Sequence, residues 1–254
     1  KIDLLNESLQ NNLLPALRHL PVKALPLSIR RRTFPPLTVE SQFTMIEIKH
    51  RETREVLLRV ESDTLQNQSF DGAQLVGADF SEMDLSGADF GNSDLRETDF
   101  TNAQLVGTSF KRANLNQAIF VGVKATGANF TDATIDRSRF CEADLSETIF
   151  RYARVTETDM SGVRLDRADM SLAELRSNFN DASMVQADLR GSNLTSANLN
   201  GANLTEANLA DATLADAQMS RVRMTGAIGP GGQRVKSPST KTTQKSPWWQ
   251  FWKS

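Results

Sequence analysis

The residues that could carry nucleophilic or metal chemistry are few and lie far apart. The 254-residue chain contains two histidines, His19 and His50, and one cysteine, Cys141. A metal site needs several His, Cys or carboxylate ligands, and a nucleophilic thiol needs a base within hydrogen-bond reach. A lone thiol far from any histidine in sequence is ordinarily unreactive, and it excludes an internal disulfide. The sequence therefore predicts a non-enzymatic protein without a cofactor, a metal site or a small-molecule substrate, in which Cys141 faces solvent.

Charge is strongly segregated along the chain, although the net charge is only −2. Residues 63–109 contain nine acidic residues against a single basic one, Arg96, whereas residues 229–254 contain five basic residues and no acidic one. A surface of one sign attracts partners of the opposite sign. The candidate residues of this acidic surface are Asp79, Glu82, Asp84, Asp89, Asp94, Glu97 and Asp99.

The C-terminal residues form a second candidate site, for docking to a protein partner or peripherally to a membrane. The candidate docking residues are Trp248, Trp249, Phe251, Trp252 and Lys253, which include all three tryptophans of the chain. Clustered Trp next to Lys suits a lipid interface, where aromatic rings sit at headgroup level, and it also suits a pocket in a partner protein. Two alternatives stay open, a tail that folds back as a cap and a tail without a defined role. Direct binding of nucleic acid is not expected.

These candidate residues are positioned by a five-residue repeat that runs from residue 65 to residue 224. A large apolar side chain recurs at every fifth position, as in Phe70, Leu75 and Phe80, and a small residue such as Ala78 lies two positions earlier. An amphipathic helix repeats about every 3.6 residues and a half-buried strand repeats every two residues. A period of five fits neither, so each unit is expected to form one short extended side of a coil. Its large and small residues then face inward together.

The repeat resembles the A(D/N)(L/F)XX signature of the pentapeptide-repeat family. The matching units include residues 78–82, 88–92, 197–201, 202–206 and 207–211, which read ADFSE, ADFGN, ANLNG, ANLTE and ANLAD. The resemblance covers residues 63–228 and implies an all-β fold, a right-handed quadrilateral parallel β-helix of about eight coils with four units per coil. Each coil of such a solenoid contacts only its neighbours.

Segments of different composition flank the repeats. Residues 43–62 alternate apolar and polar residues around a polar centre, which predicts a β-hairpin that caps the first coil and covers its unpaired edges. Residues 1–42 contain five prolines and are expected to form an irregular or disordered extension, and residues 229–254 are expected to form a flexible basic tail. No apolar span of about 20 residues and no signal peptide is recognised, so the expected location is the cytoplasm.

Three finer patterns lie within the period. Between residues 70 and 150 the large position alternates between Phe and mainly aliphatic residues, which predicts Phe columns on two opposite sides of the coil. One residue is missing after Leu175, which indicates either a kinked or tightened corner or a harmless drift of the repeat. Residues twenty apart should stack, so Lys124, Asp144 and Arg164 are expected to form a ladder of alternating charge.

The residues and the resemblance together favour a non-enzymatic structural or protein-interaction module built on a rigid rod, with a protein partner. The resemblance also implies an alternative, because some pentapeptide-repeat proteins resemble B-form DNA in size and surface charge and bind DNA gyrase, which they protect or inhibit. The acidic surface would then be the DNA-mimicking surface. Those relatives dimerise through a helical C-terminal element, whereas this chain ends in a tail rich in Gly, Lys and Trp. In addition, residues 111–167 carry a net charge of +1.

Overall fold

The computed structural model describes residues 44–235, and the first element in that range is an antiparallel hairpin. Strand β1 (Met45–Lys49) pairs with strand β2 (Val56–Glu61), with Met45 opposite Glu61. Ile48 is fully buried in the core, while alternate residues of β2 are exposed. This alternation is the pattern of a strand that covers a core with one face.

Backbone hydrogen bonds attach the hairpin to the repeat region. The carbonyl of Lys49 accepts the N–H of Asp79 at 2.8 Å, and the N–H of Arg51 donates to the carbonyl of Gly77 at 2.8 Å. The hairpin therefore forms hydrogen bonds with two backbone groups of the first coil. Within the solenoid, groups of this kind bond to a neighbouring coil, which is absent on this side of the first coil.

The repeat region is a β-helix solenoid whose coil takes twenty residues. Ser69 forms a parallel bridge with Asp89, and Asp89 forms one with Ser109. The N–H of the inward residue Phe90 also donates to the carbonyl of Ser109 in the next coil at 2.7 Å. Four five-residue units therefore complete one coil. Residues 44–235 contain no helix.

Most sides of the coil are too short to be assigned as strands, but one side is longer in three successive coils. Strands β3 (Thr134–Asp136), β4 (Arg154–Asp159) and β5 (Glu174–Asn178) stack in parallel in that order. The longest of them, β4, includes the corner that follows Val155. At most other corners the strand assignment ends before the turn.

The coil corners are turns with a residue in the left-handed backbone conformation. This residue is the second after each large side chain, as in Asn92, where φ is 54°. The Asp or Asn before the large residue supports the turn, because its side-chain Oδ1 accepts the backbone N–H two positions later. Thr131 donates to Asn129 in this way at 3.0 Å, and Ser146 donates to Asp144 at 3.1 Å.

Phenylalanine rings fill the first part of the core in two stacked columns. Phe110 stacks on Phe90 with centroids 5.4 Å apart and on Phe130 with centroids 4.9 Å apart. Phe100 and Phe120 of the other column meet Phe110 edge to face at 5.6 and 5.8 Å. Both arrangements are favourable for aromatic quadrupoles. The prediction of two Phe columns is confirmed.

The residue missing after Leu175 shortens one corner without interrupting the stack. Ser177 lies where the left-handed residue of the turn would be expected, but the chain there is extended and belongs to β5. The bridges compensate by a shift of one residue, since Asp159 pairs with Asn178, nineteen positions later. The corner is therefore tightened, and the coils on either side stay in register.

The last described residues fold back on the final coil. Residues 229–235, which the sequence assigns to the tail, make a turn that brings Arg234 into an antiparallel bridge with Ile228. The N–H of Val235 donates to the carbonyl of Ala227 at 2.7 Å. The rest of the predicted tail and the predicted extension over residues 1–42 lie outside the described residues.

Candidate interaction surfaces

The aspartates of the acidic surface have a structural role in addition to their charge. Asp84 Oδ1 accepts the N–H of Ser86 at 3.0 Å, and Asp99 Oδ1 accepts the N–H of Thr101 at 2.8 Å. Asn208 makes the equivalent bond at 3.1 Å in a later coil. Asn therefore satisfies the turn without a charge, so the negative charge of the first coils is a feature separate from the turn.

Few carboxylates of the acidic surface are neutralised by a cation. Asp79 pairs with Arg54 at 2.8 Å, and Asp94 pairs with Arg96 at 2.8 Å. Within residues 44–235, the other five have no Lys, Arg or His nitrogen within 4 Å; these are Glu82, Asp84, Asp89, Glu97 and Asp99. The first coils consequently present negative charge that the described part of the chain does not compensate.

Local hydrogen bonds favour the ionised form of three carboxylates of the acidic surface, Asp79, Asp84 and Asp94. The pKa of Asp84 is lowered chiefly by the hydroxyl and backbone N–H of Ser86. The pKa of Asp94 is lowered chiefly by the Arg96 guanidinium, against a smaller opposing effect of burial. Burial raises the pKa of Asp79, but a neighbouring serine and guanidinium outweigh it and leave the pKa below its ordinary value. These three groups therefore keep their charge to lower pH than an ordinary carboxylate.

The later coils differ because seven of the fifteen carboxylates between residues 110 and 228 are paired with an arginine. Arg164 pairs with Asp144 of the preceding coil, as the ladder predicts, and Arg137 pairs with Glu157 at 2.8 Å. Lys124 stacks beside Asp144 through a backbone bridge. Further pairs are Arg151–Asp169, Arg154–Asp136, Arg167–Glu147, Arg176–Glu174 and Arg190–Asp188. Exposed pairs of this kind contribute only about 0–1 kcal/mol each, but they compensate the local charge.

A polar groove of about 480 Å³ lies beside the shortened corner. Arg137, Arg154 and Arg176 line it from successive coils, together with the carboxylates of Asp136 and Glu157. Pockets for small molecules are mostly apolar with a few converging polar groups. This groove is polar, and each of its arginines already has a carboxylate partner, so its geometry does not indicate a substrate pocket.

Cys141 is half-buried, whereas the sequence predicts a solvent-facing side chain. Its S–H donates to Asp159 Oδ2 at 3.1 Å. Burial, followed by the nearby carboxylate, raises the pKa of the thiol above its ordinary value. A raised pKa leaves less thiolate at neutral pH, and the thiolate is the nucleophile. The surroundings of Cys141 therefore disfavour nucleophilic chemistry.

His50 has a structural position in the turn of the hairpin. Its Nδ1 accepts the backbone N–H groups of Glu52 at 3.1 Å and Thr53 at 3.2 Å. The imidazole also lies against Gly77 of the first coil, where a Cβ would overlap it. His50 is thus engaged in the contact between hairpin and coil, and His19 lies outside the described residues.

The candidate docking residues from Trp248 to Lys253 also lie outside the described residues, and their role stays a prediction. Among residues 44–235, no group of three His, Cys, Asp or Glu side chains is placed to hold a metal ion. The described part of the chain contains no helix long and apolar enough to cross a membrane.

The fold and its surfaces define a solenoid repeat protein built from five-residue units. A family model described as a pentapeptide repeat region matches residues 97–170. A second, described as pentapeptide repeats in eight copies, matches residues 65–102, 73–112, 175–210 and 192–228. Together they span more than half of the chain, which belongs to the pentapeptide-repeat family. No curated protein matches it.

Solved structures that resemble this chain include other pentapeptide-repeat proteins. HetL of the cyanobacterium Nostoc, described as involved in heterocyst differentiation regulation, is 29% identical over 67% of this chain and 88% of its own, with a TM-score of 0.29. QnrB1, described as a plasmid-mediated fluoroquinolone resistance protein, is 19% identical over 64% of this chain and 91% of its own, with a TM-score of 0.47. The family assignment rests on the sequence models and on the solenoid itself.

Sequence reasoning missed a pair of exposed apolar side chains, Tyr152 and Leu172. A signal for them exists in the sequence, because each is the second residue after an inward one. Gly, Asn or Asp is expected at that position of the turn. Tyr152 is also the only tyrosine of the chain.

Proposed function

We propose that this protein is a non-enzymatic protein-interaction module in which a rigid β-helix presents its acidic surface to a basic protein partner. The observation that supports the proposal is the set of carboxylates on the first coils that lack a cation among the described residues. Such carboxylates can pair with Lys and Arg side chains of a partner, and their field accelerates encounter.

The fold does not require the charge of this surface. Asp79 stacks directly beside Asp99, and like charges in this position cost on the order of 0.2–1 kcal/mol. Asn supports the same turn, and later coils use it at equivalent positions, for example at Asn198 and Asn203. A partner that neutralises the carboxylates would recover the cost of the repulsion. Binding therefore gives a physical reason for Asp at positions where Asn would suffice.

The proposal includes roles for the two ends of a rod of about eight coils. The hairpin of β1 and β2 acts as a cap, because it hydrogen-bonds the first coil and covers an edge that could otherwise pair with another chain. The Trp-bearing tail, residues 236–254, supplies a second docking element for a protein partner or a membrane surface.

A second candidate function is modulation of DNA gyrase by mimicry of DNA. The same carboxylates favour it, because DNA presents a regular array of negative charges to the proteins that bind it. A supercoiling assay with and without the protein tests this candidate. A change in gyrase activity that disappears when the acidic surface is neutralised supports it, and no effect at about micromolar concentration removes it.

Affinity capture on immobilised full-length protein tests the main proposal. The surface variant carries Asp84→Asn, Asp89→Asn and Asp99→Asn, and the control variant carries Asp181→Asn, Asp211→Asn and Asp216→Asn. Both change the net charge equally, and each substitution keeps a residue that suits its place in the turn. We expect the surface variant to lose a basic partner that the wild type and the control variant retain. Equal capture by all three proteins would overturn the proposal.

A third variant, in which Trp248, Trp249 and Trp252 are replaced by Ser, tests the tail separately. Loss of the same partner from this variant alone would place the function in the tail and not on the rod.

A further inference from the structure

One corner of the solenoid carries two exposed apolar side chains in consecutive coils. Tyr152 is 54% exposed and Leu172 is 49% exposed. Their backbones are left-handed, with φ of 58° and 59°. This conformation is unfavourable for bulky residues and favourable for Gly and Asn. Neither burial nor backbone preference therefore explains these two residues.

Other coils place small or polar residues at the same corner. The equivalent positions are Gly72, Asn92, Arg112, Asp132, Gly191 and Asp211. Gly191 lies in the coil after Leu172, and Leu172 Cδ2 is 2.8 Å from the point where a Cβ at residue 191 would lie. The leucine side chain thus leans over the bare backbone of Gly191, while Tyr152 lies in the coil on the other side of Leu172.

One cation lies beside Tyr152, and two more lie two coils before it on the same side of the solenoid. The Arg151 guanidinium lies 5.7 Å from the centroid of the Tyr152 ring, and its nearest carboxylate, Asp169, is 3.8 Å away. Arg112 donates to the neutral amide of Asn92 at 2.8 Å. Within residues 44–235, neither Arg112 nor Lys111 has a carboxylate within 4 Å.

Carboxylates near this corner reduce its charge without cancelling it. Asp132 lies between Arg112 and Tyr152 in the same column of the solenoid, and it is the carboxylate of the corner itself. Lys111, Arg112 and Arg151 therefore face two acidic side chains, Asp132 and the Asp169 that pairs with Arg151, so the corner carries a small positive charge while the first coils are negative.

We propose that this Tyr152 corner, formed by Lys111, Arg112, Arg151, Tyr152 and Leu172, binds an acidic segment of a protein partner that places an apolar side chain on Tyr152 and Leu172. The inference goes beyond the proposed function, because it concerns a different surface and a segment of opposite charge. Tyr and Arg are, with Trp, the residues most enriched in interface hot spots, and complementary charge guides the segment to the corner.

The spacing of the coils sets the spacing of groups in the partner. Successive coils lie about 4.8 Å apart, so Arg112 is about 10 Å from Tyr152 along the rod. An extended segment covers this distance in about three residues. The segment should therefore carry its carboxylates about three residues from the apolar side chain.

Selection of displayed peptides of about twelve residues on the full-length protein tests the proposal. We expect the selected peptides to combine Asp or Glu with one large apolar residue. Tyr152→Asn and Leu172→Asn should each weaken binding of a labelled selected peptide at least about tenfold. Arg112→Gln should weaken it a few-fold, more strongly at low salt.

Tyr152→Asn and Leu172→Asn should not disturb folding. Asn suits the left-handed conformation, as Asn92 shows at the equivalent corner, so the variants should be at least as stable as the wild type. Val106→Ser changes an exposed apolar residue at a different corner and should alter binding by less than about twofold.

Three results would overturn the inference: no selected peptide, selected peptides without acidic residues, or binding that Tyr152→Asn leaves unchanged. If the selected peptides are instead basic, and the surface variant loses them, the proposed function stands and only this corner is excluded. If affinity capture with the surface and control variants also fails to yield a specific partner, the proposed function fails as well.

Discussion

Replacement of Phe110 by Leu should show how much the stacked phenylalanines contribute to stability. Phe110 is fully buried, stacks on a ring above and a ring below, and meets two rings of the other column edge to face. Leu keeps the apolar character of the site but loses all four ring contacts.

The expected loss follows from these contacts. An aromatic pair contributes about 0.5–1.5 kcal/mol beyond the burial of its area. Four pairs set an upper limit of about 6 kcal/mol, and partial relaxation of the neighbouring rings reduces the loss. Contributions within one cluster are also not additive. We therefore expect Phe110→Leu to lower the free energy of unfolding by about 2–4 kcal/mol.

Urea denaturation followed by circular dichroism measures this difference. Leu115→Met, at a buried aliphatic position of the same coil, is the control and should cost less than about 1.5 kcal/mol. The slope of the free energy of unfolding against urea concentration should be compared as well, because a solenoid can unfold in segments and the slope would then change. A loss below about 0.5 kcal/mol for Phe110→Leu would refute the reasoning, since the stacked geometry would then contribute nothing measurable.

Other parts of the structure make further predictions. Arg164, against the smaller effect of burial, holds the pKa of Asp144 below its ordinary value, so the pair stabilises the fold above about pH 4 and loses this effect as the pH falls through the lowered pKa. Arg164→Gln should cost at most about 1 kcal/mol at pH 7, because the Arg164 side chain is largely exposed, and its difference from wild type should vanish near pH 2 in urea melts. Gly77→Ala should lower the melting temperature more than Gly127→Ala, because both have positive φ but only Gly77 has an imidazole where the methyl group would lie. Cys141 should react with a disulfide reagent more slowly than a free thiol at pH 7.5, and unfolding in urea should restore the ordinary rate.

The sequence predicts the architecture well because the repeat reflects the core directly. Each inward position, such as Phe90 or Leu95, needs the same kind of side chain in every coil. The five-residue period of the sequence is therefore enough to predict the solenoid fold. The alternation of Phe with aliphatic residues likewise predicts the stacked columns. The missing residue after Leu175 is visible in the sequence, but the extended conformation of Ser177 is not, because it depends on the strands stacked on either side.

The surfaces are harder to predict because outward positions follow no single requirement. Asp84 and Asn203 accept the same hydrogen bond in equivalent turns. The sequence alone therefore does not show whether an Asp is present for its charge, which a partner could bind, or only as the hydrogen-bond acceptor of the turn. The pairing of Arg154 with Asp136 depends on side chains from two coils. The burial of Cys141 likewise depends on a neighbouring coil, which supplies Asp159.

The affinity of the captured partner for the surface variant is the most direct test of the central claim, that unneutralised carboxylates on the first coils carry the interaction. Titration by fluorescence anisotropy at low and high salt should show at least about tenfold weaker binding for the surface variant and a smaller dependence on salt. The control variant should bind within about twofold of the wild type, and all three proteins should unfold at similar urea concentrations. Equal affinity and equal salt dependence for the surface variant and the wild type would contradict the account.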